Sequence, residues 1–310
     1  MPAAVEVDGL VKRYGPLAAV DRIRFDVAPG TVFAFLGPNG AGKTTTVEIL
    51  EGLRRPTSGA VRVLGLDPWR DGAALHRRIG VIPQEFRFFE KITAREAIEY
   101  YRSLFGTTVD PGQLLARVEL LDKATARFDT LSGGQKQKLG LALSLTNEPE
   151  ICFLDEPTTG LDPHARRAIW NVIRSLRREG RTVFLTTHYL EEAQLLADRV
   201  AIIHHGRIIA SGTPDEIIRA NGRPSRLRIE APPALADRLR QELGVAARAE
   251  AGHVEVELSD KHDALRVLAA VDRSGLPWER VATEDDTLED VFVRLVGQMD
   301  DGTLKSEVPP

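Results

Sequence analysis

The sequence predicts an α/β protein: a core of alternating strands and helices with an inserted helical stretch, followed by a small second α/β domain. Three observations lead there. Thr31 to Leu36 is a short, β-rich apolar run that feeds the glycine-rich segment Gly37-Pro38-Asn39-Gly40-Ala41-Gly42-Lys43-Thr44, and Thr44 to Leu53 continues as a helix. From Ile151 onward, strand-like and helix-like segments alternate. At Asn221-Gly222-Arg223-Pro224-Ser225 the composition turns to breakers, and a new alternation begins beyond it.

The elements follow in order. Val5, Val7 and Leu10, then Ile23, Phe25 and Val27, read as strands, closed by a Pro29-Gly30 turn. Residues 85–147 read as mostly helical. Thr93-Ala94-Arg95-Glu96 is a capping box, followed by Ala97, Tyr100, Tyr101 and Leu104 at helical spacing. Leu114 to Leu121 reads as a second helix, and Gln135 to Leu145 as a third, opened by Ser132-Gly133-Gly134. Then come Ile151 to Leu154 (strand), Ala165 to Glu179 (helix), Thr182 to Thr186 (strand), Leu190 to Ala197 (helix) and Val200 to His204 (strand). Residues 1–222 are therefore expected to form the main domain and 223–299 a small α/β domain of alternating strand and helix. A polar, disordered tail is expected at 300–310. In the second domain Pro233 to Leu243, His262 to Arg273 and Leu288 to Val296 read as helices. Trp278 to Thr283 and the stretches around Leu227 and Val254 read as strands.

Composition narrows the function classes. The chain has 310 residues, 41 basic and 45 acidic, for a net charge of −4. That balance argues against a general nucleic-acid binder, and no nucleic-acid partner is expected. A single cysteine, Cys152, excludes an intramolecular disulfide and reads as a small buried hydrophobe inside an apolar strand. No apolar run approaches the roughly 20 residues of a bilayer helix, so a membrane role would act through a partner. The N-terminus does not read as a signal peptide.

The chemistry concentrates in three places. In Gly37 to Thr44 the glycines let backbone N–H groups wrap a phosphate, and the following helix aims its positive end at the same anion. Lys43 would reach the β and γ phosphates and the Thr44 hydroxyl would ligate Mg²⁺. Alone, this says only that the chain binds a nucleotide. Ile151-Cys152-Phe153-Leu154-Asp155-Glu156 is an apolar strand ending in two carboxylates. Asp155 is placed to hold Mg²⁺ through water, and Glu156 to orient or deprotonate an attacking water. Leu131-Ser132-Gly133-Gly134-Gln135 offers a hydroxyl and free N–H groups at a helix start, a second anion site.

On these residues the sequence resembles the ATP-binding-cassette (ABC) ATPases, whose signature is LSGGQ. The resemblance spans about residues 5 to 220. It implies a P-loop ABC ATPase core with an inserted helical subdomain, ATP and Mg²⁺ as cofactors, and ATP contacts from Tyr14, Gly37, Asn39, Gly40, Gly42, Lys43, Thr44 and Thr45. It implies Mg²⁺ ligands at Thr44, Gln84 and Asp155, and catalytic roles for Glu156, His188 and Gln84. Ser132, Gly133, Gly134 and Gln135 would act across a head-to-tail dimer on the partner's nucleotide, with Asp162 in the loop at the dimer interface. Blander readings stand beside several of these. Tyr14 could simply pack, Gln84 could be a surface amide, and Asp162 could cap the helix after Pro163. Ala34 stands where the family often has glycine, a departure expected to affect packing only.

The same resemblance sorts the kind of ABC protein. No coiled-coil heptads, zinc-type cysteine pairs or second cassette are present, features of the soluble members that act in repair or translation. Thr187-His188-Tyr189-Leu190-Glu191-Glu192-Ala193 and Thr287-Leu288-Glu289-Asp290-Val291-Phe292 are similar to segments of the daunorubicin and drug-resistance type (ABC-2 type) exporter ATPases. That implies the ATPase subunit of an exporter at the cytoplasmic face of the plasma membrane. Its partners would be transmembrane permease subunits and a second copy of itself or a related ATPase subunit. A soluble ABC ATPase is the alternative. Phe86, Phe88, Phe89 and Tyr101 are either core or contacts for the membrane partner.

Overall fold

A computed structural model describes residues 2–84, 86–250, 252–258 and 261–301. The chain divides into two compact units, one made of the residues up to Asp215 with those from Val296, the other of Glu216–Leu295. The first unit contains β1 (Val5–Tyr14), β2 (Leu17–Val27), β3 (Val32–Leu36), α1 (Lys43–Leu50), β4 (Ser58–Val63), α2 (Gly72–Leu75) and β5 (Ile79–Ile82). The helical stretch follows as α3 (Ala94–Phe105), α4 (Pro111–Arg117) and α5 (Gly133–Ser144). The alternation then resumes with β6 (Ile151–Asp155), α6 (Pro163–Arg178), β7 (Thr182–Thr187), α7 (Leu190–Leu196), β8 (Arg199–His204) and β9 (Arg207–Gly212).

Six strands form one sheet in the order β5-β6-β7-β3-β8-β9, parallel except for the β8–β9 hairpin. Its central strands are continuous apolar runs because both faces are covered. Along β6, Ile151 and Phe153 point to one core and Cys152 and Leu154 to the other. Phe33 and Phe35 of β3 and Phe184 of β7 share the first core with Phe25 of the antiparallel sheet β2-β1-β4, whose ring stacks on Phe33 at 5.4 Å. The second core holds Ile98, Leu115, Leu139 and Ile173 from the helices. Cys152 is fully buried, and burial pushes its thiol up to about 12, which keeps it an inert thiol.

The helical stretch departs from its sequence pattern at one point. The expected helix from Leu114 to Leu121 stops at Arg117, because Glu119 adopts a left-handed backbone (φ 54°) and Leu120 N donates back to Leu115 O at 2.8 Å. A separate 3₁₀ turn follows at Leu121–Lys123. The apolar residues of the segment still reach the core, so the spacing survives the break. The Thr93 capping box forms as expected, with Thr93 N on Glu96 Oε2 at 2.8 Å and Glu96 N on Thr93 Oγ1 at 3.2 Å.

Helix α8 (Pro214–Asn221) lies across the change of unit, and the second unit then runs β10 (Arg226–Ile229), α9 (Ala234–Leu243), β11 (Ala247–Glu250), β12 (His253–Glu257), α10 (Lys261–Arg273), β13 (Val281–Glu284) and α11 (Leu288–Asp300). Strict β-α alternation is corrected here by one strand. Ala247–Glu250 pairs with β12 as a hairpin, and its short small-and-charged sequence carries no apolar alternation to reveal it. The sheet order β11-β12-β10-β13, antiparallel throughout, with a β-α-β-β-α-β chain order, is the ferredoxin-like arrangement. Its core is Leu227, Ile229, Leu235, Leu239, Val254, Val256, Val267 and Val271. Helix α11 is capped by Thr287, whose hydroxyl accepts from Asp290 N at 3.2 Å. The helix continues to Asp300, and residues 302–310 of the expected tail lie outside the described residues.

One close approach fixes where the helical stretch meets the sheet. A Cβ on Gly80 of β5 would stand 2.1 Å from the carbonyl oxygen of Ser144 at the end of α5. Gly80→Ala should therefore cost about 2–3 kcal/mol through forced backbone movement, and thermal melts should show a Tm drop of about 5 °C or more.

Candidate nucleotide site

The parallel ladders bring the ends of four strands to one level. Leu36 pairs with Thr187, Asp155 with Thr186 and Ile82 with Leu154. The segments that leave these ends are the Gly37–Gly42 loop, Gln84, Glu156 and His188. Ligands of open α/β sheets bind at this carboxyl edge.

The loop from β3 to α1 is built for backbone crowding. A Cβ on Gly37 would stand 2.3 Å from Ile203 O, and one on Gly42, whose φ is 110°, would stand 2.4 Å from Ala19 O. Lys43, at the first position of α1, is folded back under this loop. Its Nζ donates to Gly37 O at 2.8 Å and Pro38 O at 3.2 Å, and lies 3.7 Å from Glu156 Oε1. Burial pulls the Lys43 ammonium below its ordinary range, while Glu156 and Asp155 oppose that shift. Asn39, Gly40 and Thr44 are exposed and Thr45 is half-buried, so the loop faces solvent.

Glu156 is the hub. It is buried and takes a left-handed backbone (φ 49°), directly after β6. Its amide donates to the carbonyl of Thr186 at 3.1 Å and lies 3.0 Å from the Thr186 hydroxyl. The same hydroxyl donates to Asp155 Oδ1. On the carboxylate, Oε2 accepts from Gln84 Nε2 at 3.2 Å and Thr159 Oγ1 at 3.2 Å, and His188 Nδ1 lies 3.2 Å away. Lys43, Gln84 and His188, singled out from three distant parts of the sequence, thus meet on one carboxylate. Burial pushes the Asp155 carboxyl up, against the Thr186 hydrogen bond, which pulls it down.

Other expected residues are held apart from this cluster. Ser132 caps α5 in a reciprocal box, with Ser132 N on Gln135 Oε1 at 2.9 Å and Gln135 N on Ser132 Oγ at 3.3 Å. Ser132 and Gly133 are exposed, and Gly134 and Gln135 half-buried. Asp162 caps α6, accepting from Ala165 N at 2.9 Å, with Pro163 in the first turn. Tyr14 ends β1 with its ring 39% exposed, Lys12 Nζ at 5.1 Å and Arg54 at 5.4 Å from the centroid. Both cations thus lie within cation–π reach of the ring.

Three residues of the site escaped the sequence reading. Thr186 bonds the Asp155 carboxylate and the Glu156 backbone amide, Thr159 bonds the Glu156 carboxylate, and Glu51 of the α1 end is a buried carboxyl near Asp155. Thr186 was recoverable from its position at a strand end before His188. Glu51 gave no signal beyond a charged residue on an otherwise apolar helix face.

Residues 20–159 match the ABC transporter family model. Over 311 residues the chain is 40% identical to the daunorubicin resistance ATP-binding protein DrrA3 of Streptomyces coeruleorubidus, covering 97% of this chain and 98% of that protein. This chain belongs to the ATP-binding proteins of the ABC transporters. The ABC protein is also 40% identical over 304 residues to the Nod factor export ATP-binding protein I of Paraburkholderia xenovorans, covering 96% and 98%. A solved ATP-binding subunit of an ABC transporter superposes with a TM-score of 0.65 at 29% identity, over 71% of this chain and 93% of that one. A cassette solved as a dimer in a post-hydrolysis state with ADP and Pi shares the fold (TM-score 0.61, 24% identity, 67% and 98% covered). As an ABC ATPase the protein binds and hydrolyses ATP.

Glu51 makes the stability of this ABC ATPase depend on pH. Burial, with Asp155 and Glu48 adding to it, pushes its carboxyl from 4.5 up to about 8. The folded protein therefore keeps a proton that the unfolded chain releases, and the contribution of Glu51 is full below about pH 4.5 and lost as pH rises toward 8. Glu51→Gln is neutral at every pH. Thermal melts should show it close to the parent at pH 5 and clearly more stable than the parent at pH 8.5. An equal difference at both pH values would contradict the buried neutral carboxyl.

Proposed function

We propose that this chain is the ATP-hydrolysing subunit of an exporter, in which ATP-driven closure of a head-to-tail dimer powers transport through separate membrane-spanning subunits. The observation that carries the reading is the convergence of Lys43, Gln84 and His188 on Glu156, while the Ser132-Gly133 helix start is presented to solvent on a different element. A site complete except for its second anion-binding element fits completion by another subunit. The full-length likeness to a daunorubicin resistance ATP-binding protein and a Nod factor export ATP-binding protein supports export over a soluble role in translation or repair. Among the described residues no helix is long and apolar enough to cross a membrane, so the membrane path belongs to partner subunits. The reading puts the chain at the cytoplasmic face of the plasma membrane.

The roles proposed for the site residues are those the family resemblance implies, and the convergence on Glu156 supports them. The N–H groups of the Gly37–Gly42 loop and the α1 start wrap the phosphates, with Gly37, Asn39, Gly40, Gly42, Thr44 and Thr45 against them. Lys43, now bonded to the loop's own carbonyls, transfers its ammonium to the β and γ phosphates. Tyr14 stacks on adenine. Glu156 takes the proton of the attacking water, and its ring of donors aims it. His188 bonds the γ-phosphate and Gln84 positions the water. Asp155 and Glu156 are two buried carboxyls beside the buried ammonium of Lys43, and Thr44, Gln84 and Asp155 are hard oxygen donors, a set suited to Mg²⁺. Thr44, Gln84 and Asp155 would hold Mg²⁺, which would supply charge neutralisation at the phosphates. Asp162 lies in the loop that meets the partner subunit. The ferredoxin-like unit serves as an accessory domain for dimer contact or regulation.

Two variants test this. Glu156→Gln should bind ATP with near-normal affinity and lose about 100-fold or more in turnover. It should also migrate as a dimer with ATP in size-exclusion chromatography, and normal turnover would sink the assignment of the base. Ser132→Arg should keep ATP binding but stay monomeric with ATP, and a variant that still dimerises would contradict a signature acting across the interface.

A further inference from the structure

Glu192 is fully buried, at 0% exposure, on α7 one turn beyond His188. A carboxyl there is costly to desolvate, and an apolar residue would fill the space without that cost. What the carboxyl adds is a pair of hydrogen bonds, one to α6 and one to the turn that follows β6. Trp170 Nε1 of α6 donates to Oε1 at 2.7 Å, and Thr158 Oγ1 donates to Oε2 at 3.1 Å.

Thr158 is the informative partner. It lies in the turn that leaves Glu156, where Thr159 N donates to Glu156 O at 3.2 Å and Leu161 N to Thr158 O at 3.2 Å. The turn ends at Asp162, the cap of α6. A second link runs parallel to the first. Arg166, one turn into α6, places its guanidinium 4.4 Å from the centroid of Tyr189, and the Tyr189 ring lies 4.3 Å from the His188 imidazole at 36°. The segment from Glu156 to Asp162 and the segment carrying His188 are therefore tied together behind the site, once through Glu192 and once through Tyr189.

We propose that Glu192 is a positioning residue for hydrolysis, which locks the Thr158 turn to α7 so that Glu156 and His188 keep their relative placement when the Asp162 loop is engaged. The inference rests on the roles proposed above for Glu156 and His188. Glu192 touches neither nucleotide nor water in this account; it acts through Thr158 and the helix that follows His188.

The test uses the full chain, with steady-state ATPase kinetics, binding of a fluorescent ATP analogue and thermal melts. Glu192→Gln and Thr158→Val should each lower kcat about 10- to 100-fold, since small misplacements of reacting groups cost that much. KM and analogue affinity should stay within about twofold, the mark of an interaction needed in the transition state and not in binding. The double variant should be no worse than Glu192→Gln alone. Trp170→Phe removes an equally good hydrogen bond from the same carboxylate but leaves the Thr158 tie, and it should keep kcat within about threefold. If Glu192→Gln does not fold, Thr158→Val with Trp170→Phe decides alone. The inference is overturned if Thr158→Val keeps near-parent kcat, or if Trp170→Phe falls as far as the others, which would make Glu192 a support for folding only. Glu156→Gln in the same assay separates the two levels. Its loss of turnover beside an active Thr158→Val rejects the strut alone, whereas normal turnover in Glu156→Gln rejects the reading beneath it.

Discussion

The site depends on one backbone constraint: a non-glycine residue, Glu156, held in the left-handed region where β6 ends. That conformation costs about 1–2 kcal/mol, and it turns a carboxylate that would otherwise continue the strand across the open edge of the sheet. Thr186 of the neighbouring strand holds it there, through its carbonyl and its hydroxyl, and the same hydroxyl bonds Asp155. The parallel register that sets Thr186 beside Asp155 is thus what makes the two carboxylates a defined pair. Strain at such a position persists only where the surroundings over-determine it.

Charge balance follows from that placement. Asp155 and Glu156 are buried near the Lys43 ammonium, and Glu51 is a further buried carboxyl near Asp155. The region answers in two ways. Glu51 stays protonated up to about pH 8, and Lys43 is drawn onto the carbonyls of its own loop. Lys43 is therefore already beneath the loop and needs only to exchange carbonyl partners for phosphate oxygens. The loop itself can close that tightly because Gly37 and Gly42 let it pass against Ile203 and Ala19 with no room for a Cβ.

The main elements were legible wherever burial imposes a period. The strands of the central sheet read as apolar runs because both faces are covered, and the capping box at Thr93 announced α3 from four residues. Some elements escaped although they carry apolar residues, among them the short β5 (Ile79–Ile82) and β9 (Arg207–Gly212), and two others lack such a pattern. Strand β4 is exposed along most of its length, and β11 is a short edge strand of small and charged residues. The break after Arg117 leaves apolar spacing intact while the backbone reverses at Glu119, so periodicity cannot reveal it. The aromatic segment after Gln84 was ambiguous for a similar reason. Phe86, Phe88 and Tyr101 pack against the core while Phe89 is 64% exposed, a split decided by which way each ring turns.

The sequence by itself determined the chemistry on offer: a phosphate-wrapping loop, a strand ending in two carboxylates, a Ser-Gly-Gly helix start and a histidine after a strand. These are local, because glycine freedom, helix ends and apolar strands are properties of consecutive residues. Only the tertiary structure decided which of them meet. Gln84, Glu156 and His188 converge because parallel pairing sets four strand ends at one level, the Thr186 clamp follows from the same pairing, and the bonds of buried Glu192 come from packing α7 against α6 and the Thr158 turn. Such contacts join residues tens of positions apart, and the free energy that selects them comes from packing the sheet's two faces, which no local stretch of sequence contains.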